Sequence, residues 1–181
     1  MKKVLFLFGE LNDDDLDWII ARGQLEKISP NTILIEQDQP IDKLYILLKG
    51  QVEVLRTDQD STQVIAKGGS GEVFGEMSFI DNLLPSATVK ATENSVVLSI
   101  PCLQLADRLN QDIGFSSRFY RAITLFLSSR LRHTLKNLAY NPKEEEKEDI
   151  EPQNLPPAFL DVLPFAEARF DWLLRRVNNH I

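Results

Sequence analysis

GEVFGEMSFIDNLLPSATVKA, residues 71–91, sets two short apolar, strand-like pieces on either side of a Gly75-Glu76 pair, a turn of helix, and a loop carrying Pro85 and Ser86. That pattern builds a small cradle. The first turn of a helix leaves backbone N–H groups without intrahelical partners and a partial positive charge at its start. Gly75 lets a ligand approach the main chain closely, and Glu76 puts a carboxylate where the turn begins. A ligand with both an anionic group and hydroxyls suits the combination.

Outward from that stretch, residues 24–100 read as short strands separated by turn chemistry. Residues 25–28 alternate, Ser29-Pro30-Asn31 turns, 32–36 are rich in β-branched residues, and Asp38-Gln39-Pro40 turns again. Residues 44–48 form a nearly continuous apolar run stopped by Lys49-Gly50. Residues 51–55 and 62–66 follow as strands around a polar hairpin tip at 57–61. A Gly-rich turn at 67–71 leads into the opening stretch, 87–91 leave it, and 95–100 form a last strand. About eight strands at this spacing indicate an antiparallel sandwich or roll.

Helical signals bracket this β region. Asn12 is placed to cap a helix over 13–22, with Asp13, Asp14 and Asp15 in its first turn, Leu11 positioned to staple onto Leu16, and Gly23 as its stop. Three successive aspartates point in different directions on a helix, so they complement the dipole rather than chelate a metal. After Pro101, residues 103–109 and then about 115–138 are helical, with a bend near Asp112. The second helix repeats Phe119, Ile123, Phe126, Leu127, Leu131, Leu135 and Leu138 every three or four positions. That stripe either forms a seam with a second copy or folds back on the sheet. Residues 141–157 are charged and proline-punctuated, a linker. Residues 158–177 regain helical periodicity, and a helix of this size needs a surface to lie on, either its own domain or a partner protein.

Composition excludes several classes. A net charge of −7 over 181 residues offers no general positive field for nucleic acid, although residues 101–140 hold six basic side chains against two acids. Cys102 is the single cysteine, so neither an intramolecular disulfide nor a thiolate metal cluster arises, and a reducing, cytoplasmic setting is expected. The apolar start, MKKVLFLFGEL, is shorter than a signal-peptide core and far shorter than a membrane span. His133 and His180 have no neighbouring constellation for nucleophilic or metal chemistry, and Cys102 reads as a small buried residue, so no enzyme is expected. Trp18 and Trp172 sit at helical spacing as core or interface residues.

With these residues assembled, the chain resembles the cyclic-nucleotide-binding domain family, which includes catabolite-activator-type regulators and regulatory subunits of cyclic-AMP-dependent kinase. ILIEQDQPIDKLYILLKGQVEV (residues 33–54), with Tyr45 and Gly50, is similar to the family's first β-roll signature, and residues 74–91 to its phosphate-binding cassette. The resemblance covers about residues 6–139. It implies a jelly-roll-like β-roll, a double-stranded antiparallel β-helix, flanked by an N-terminal helix and a long C-terminal helix. The expected organisation is a roll with its long helix at 1–140, a linker at 141–157 and an amphipathic helix at 158–181.

The resemblance also assigns the site. Gly75 and Glu76 correspond to the pair that meets the ribose, and Met77, Ser78, Ser86 and Ala87 complete the cassette. Where the family places the arginine that holds the cyclic phosphate, this chain has Pro85, in a register fixed by Ser86 and Ala87. Asp38 stands where glycine is usual, and Asp tolerates the left-handed turn. Nine acids against five bases after Tyr140 leave no recognition helix of the kind that binds DNA in the transcriptional relatives. The expectation is therefore a stand-alone regulatory or protein-interaction module in signal transduction with weak or no cyclic AMP binding. No cofactor is required, no nucleic acid or membrane is bound, the long helix forms a homodimer, and 158–181 are available to a protein partner. The alternative is a sensor that takes a cyclic nucleotide or another small ligand in the same pocket.

Overall fold

The computed structural model describes residues 2–59, 61–139 and 157–178. The expected linker falls almost wholly outside them, as do the side chains of His133 and Leu138 and the whole of His180. The chain divides into two compact units, residues 16–111 and residues 1–15 with 112–181.

Unit 16–111 is the β-roll. Its strands are β1 (Gln24–Ile28), β2 (Ile33–Ile35), β3 (Lys43–Lys49), β4 (Val52–Asp58), β5 (Ser61–Gly68), β6 (Val73–Phe74), β7 (Thr88–Ala91) and β8 (Ser95–Pro101). They form two four-stranded sheets, ordered β1-β8-β3-β6 and β2-β7-β4-β5. Every pairing is antiparallel. Period-2 alternation gives each sheet an apolar inner face, and the two faces share one core. Ile28, Leu47, Phe74 and Val97 come from the first sheet, and Ile35, Val52, Val89 and Ala91 from the second. Residues 95–100 of β8 are buried on both faces, as a central strand with so continuous an apolar run should be. Gly50, at φ +100°, closes the β3–β4 turn, where a Cβ would fall 2.7 Å from the Ser95 Cα. The hairpin tip is shorter than its polar sequence suggests. β4 runs to Asp58 and β5 resumes at Ser61, with the Thr57 and Thr62 hydroxyls 3.0 Å apart across it.

Two helical pieces accompany the roll. Helix α2 (Asp13–Arg22) has the expected bounds, and its Ile19 carbonyl accepts the Gly23 N–H at 2.8 Å. With α1 (Val4–Glu10) preceding it and α3 (Glu76–Asp81) inside the cassette, the next is α4 (Cys102–Gln111), which buries Leu105 and Leu109. The Arg108 guanidinium of α4 lies 5.9 Å from the Trp18 ring centre.

The other unit is helical: α1, then α5 (Ile113–Ala139), α6 (Pro157–Leu160) and α7 (Leu163–Asn178). Helix α1 is a finding the sequence did not announce. Its Val4, Leu5, Phe6, Leu7 and Phe8 are all buried, and its N-terminus has no side-chain cap. Five consecutive large apolar residues carry no helical period, so tertiary packing makes this helix. Phe6 stacks on Phe159 at 4.8 Å and lies 6.5 Å from Phe126, and Phe8 meets Phe170 edge-on at 5.8 Å. The terminal helix expected over 158–177 is divided at residues 161–162 into α6 and α7, and Pro164 lies in the first turn of α7, where its missing N–H costs nothing. Ala166, Phe170, Leu173 and Val177 of α7 are buried, and α1 lies against that face through Phe8.

Polar contacts fix the same unit. Asn12 Oδ1 accepts the Asp15 N–H at 2.9 Å while Asp15 Oδ2 accepts the Asn12 N–H at 3.0 Å, a reciprocal cap that adds Asp15 to the expected Asn12. The buried Asp15 carboxylate also takes two hydrogen bonds from Arg118 of α5, at 2.6 and 2.9 Å. Arg169 of α7 donates to the Phe8 and Leu11 carbonyls at 2.7 and 2.9 Å and to Asp13 at 2.6 Å. It thereby satisfies the end of α1, where cations are favoured. The expected stripe of α5 is half covered: Phe119, Ile123 and Phe126 are buried, whereas Leu131 and Leu135 are 60% and 56% exposed.

Candidate functional site

Strand β6 pairs with β3 only at Val73 and Phe74, and the chain then turns at Gly75. Gly75 has φ +89°, and a Cβ there would sit 3.2 Å from the Lys43 carbonyl oxygen, so only glycine fits without strain. Helix α3 starts at once with Glu76, which is 3% exposed. At six residues α3 carries little macrodipole, so the anion attraction expected of its N-terminus is small. It ends at Asn82, left-handed at φ +56°, whose N–H reaches the Ser78 carbonyl at 3.0 Å. Asp81 Oδ1 accepts the Leu83 N–H at 2.9 Å and starts the return loop.

The return loop is tied down at Pro85. This proline is buried, and its carbonyl accepts the Asp38 N–H at 2.9 Å. Asp38 has φ +59°, the left-handed turn expected at that position. Beside it, Thr88 Oγ1 accepts the Gln37 N–H at 3.0 Å. The Gln37 amide completes the tie by donating to the Thr57 carbonyl at 3.0 Å and accepting the Thr57 N–H at 2.9 Å. Gln37 and Thr57 were not legible from sequence, because a Gln in a turn and a Thr in a strand carry no pairing signal.

Of the seven candidate residues, Gly75, Glu76 and Pro85 are held by the roll. Ser78 and Ala87 are half-buried, Ser86 is exposed, and Met77 is 48% exposed. Lys90, a cation on the strand that follows the return loop, belongs to the other face. Its neighbours Val89 and Ala91 both enter the core, so the alternation of β7 sends Lys90 outward. Proline provides neither a side-chain donor nor a backbone N–H.

A second polar group lies on the first sheet. Glu26 of β1 accepts from Lys43 of β3 at 3.0 Å and from the buried Ser99 hydroxyl of β8. Burial pushes the Glu26 carboxyl up, but the Ser99 hydroxyl and the Lys43 ammonium together outweigh it and hold it below its ordinary 4.5. The hydrogen bond to Glu26 raises Lys43 above 10.5 against its own desolvation. Burial also raises the Tyr45 hydroxyl, and it pushes the Cys102 thiol up to about 11, with Asp42 adding to the shift. Cys102 is therefore a protonated thiol near neutrality.

Two antiparallel sheets around one core, interrupted by a Gly-Glu turn of helix between β6 and β7, define a β-roll with a short helical insert. Residues 25–112 match the family model of the cyclic nucleotide-binding domain. Over 148 residues it is 29% identical to the cAMP-activated global transcriptional regulator CRP of Pasteurella multocida, spanning 72% of this chain and 71% of that one. A cyclic nucleotide-binding domain from Methylobacillus flagellatus superposes with a TM-score of 0.68 at 21% identity, covering 81% of this chain and 85% of that one. The Thermus thermophilus catabolite activator protein gives a TM-score of 0.61 at 24% identity. That match covers 74% of this chain and 62% of the Thermus chain. Among the described residues, no helix is long and apolar enough to cross a membrane.

Proposed function

We propose that this chain is a non-enzymatic regulatory module of the cyclic nucleotide-binding type whose pocket binds cyclic AMP weakly or not at all. The observation that carries this reading is Pro85. It stands where the family's arginine meets the cyclic phosphate, it is buried, and its only hydrogen-bonding group is engaged with Asp38. A charge-assisted bidentate contact contributes about 1.5–3 kcal/mol, which is about ten- to a hundredfold in affinity. Lys90, directed outward, does not replace it. Calorimetry with cyclic AMP and cyclic GMP up to millimolar concentration tests the reading, with Pro85→Arg as the gain-of-affinity control.

A second reading is supported by the other end of the cradle. Gly75 keeps its left-handed turn and Glu76 is buried at the start of α3. These favour a sensor for a ligand that presents hydroxyls and less phosphate charge. Saturable heat with an uncharged nucleoside, lost in Glu76→Gln, would distinguish it.

The output of either module is protein contact. The exposed Leu131 and Leu135 favour a homodimer through α5, in a cytoplasmic setting and without nucleic acid or membrane. The segment 158–181 would meet a protein partner through α7, on the side away from the face that meets α1.

A further inference from the structure

Helix α7 has two apolar faces, and its own unit uses one. Ala166, Phe170, Leu173 and Val177 are buried, while Phe165 is 69% and Trp172 47% exposed. Seven residues apart, these two aromatics share one stripe of the helix. The exposed Ala168 lies between them, and the Arg176 guanidinium sits 5.3 Å from the Trp172 ring centre. Asp161, also exposed, stands just before the helix begins. At about 100° per residue, Glu167 and Asp171 fall outside the stripe.

We infer that this stripe is self-complementary and that its occupant is α7 of a second copy of the chain, antiparallel about a twofold axis beside Ala168. The register that sets Phe165 against Trp172 of the second copy also brings the turn that carries Asp161 to the level of its Arg176, since both pairs are centred between Ala168 and Arg169. The twofold repeats each contact, so two aromatic pairs and two opposite-charge pairs form at once. Ala168 at the crossing lets the helices approach to the usual 8–10 Å spacing, about the closest that interdigitated helices reach. A parallel arrangement would instead bring Arg176 beside Arg176. Trp and Arg are the residue types that dominate protein contacts, and an uncovered aromatic pair is the part of this surface that gains most from burial. This contact is independent of the α5 seam proposed above; with both in place the chain would assemble as a dimer of dimers.

The test uses the full chain carrying Leu131→Asp and Leu135→Asp, which removes the α5 seam at exposed positions. Sedimentation equilibrium at tens of micromolar should still give a dimer. Adding Asp161→Arg should weaken it by about tenfold or more, because two like-charge pairs replace two attractive ones. Adding Arg176→Asp to that variant should restore the original affinity to within about threefold. Ala168→Cys with Cys102→Ser should form a disulfide-linked dimer under mild oxidation, and circular dichroism checks that each variant is folded. A monomeric parent, a dimer indifferent to Phe165→Ser with Trp172→Ser, or a charge swap that fails to restore association would each overturn the inference. Failure of the α5 reading is separate: wild-type mass would then not change on adding Leu131→Asp and Leu135→Asp.

Discussion

At Pro85 the cradle has a buried ring, a carbonyl engaged by the Asp38 amide, and nothing that donates to a phosphate. Its identity could be read from sequence because Ser86 and Ala87 fix the register. Its burial and its tie to Asp38 could not, because both depend on a turn 47 residues away. Gly75 is the opposite case, since a left-handed glycine before a helical turn is a local requirement visible in one residue. Gly75→Ala should destabilise the roll by about 1–2 kcal/mol for the backbone conformation alone, and more because the Lys43 carbonyl must yield; urea denaturation measures it. Glu26 is a third kind of residue, a polar side chain whose partners sit on two other strands and leave no trace in its own neighbourhood. Its folded pKa is depressed, so its contribution to stability is present above the unfolded value and is lost as pH falls through the folded one. Lys43 is raised, so its share is present below 10.5 and disappears as pH rises through the folded value. Thermal melts from about pH 6 down to about pH 3 should therefore fall less steeply for Glu26→Gln than for wild type. Parallel curves would remove Glu26 from the acid limb.

At the scale of elements, the strands were legible because alternation and turn residues are local, and α2 because Asn12, the acidic first turn and Gly23 mark both of its ends. Helix α1 was not. VLFLFGE has no polar face to set a period and no cap, and only burial against Phe126, Phe159 and Phe170 selects a helix. The apolar stripe of α7 was legible as a stripe, but its occupant was not, since the sequence did not reveal α1 as a surface. Arg169 fastens the two, and losing its bonds to two main-chain carbonyls and Asp13 leaves acceptors of a helix end unsatisfied. Arg169→Ala should cost about 2 kcal/mol, read as a lower midpoint in denaturant, while Arg175→Ala, on the exposed side of the same helix, should change stability by less than about 0.5 kcal/mol. Equal effects would mean that Arg169 is not the fastening.

At the scale of the whole molecule, the chain has a β-roll that keeps a left-handed Gly75 and a buried Glu76, and a helical unit that leaves Leu131 and Leu135 of α5 exposed. Leu131→Asp with Leu135→Asp should reduce the mass measured by sedimentation if α5 forms a seam, without shifting the thermal midpoint of the roll. An unchanged mass would assign the exposed leucines another role. The central claim, that Pro85 disarms the phosphate end of the pocket, is tested most directly by titrating cyclic AMP into wild type and Pro85→Arg by calorimetry under identical conditions. The account predicts weak or undetectable binding to wild type at millimolar nucleotide and an affinity about ten- to a hundredfold higher for the variant. Tight binding to wild type, or no gain in the variant, would contradict it.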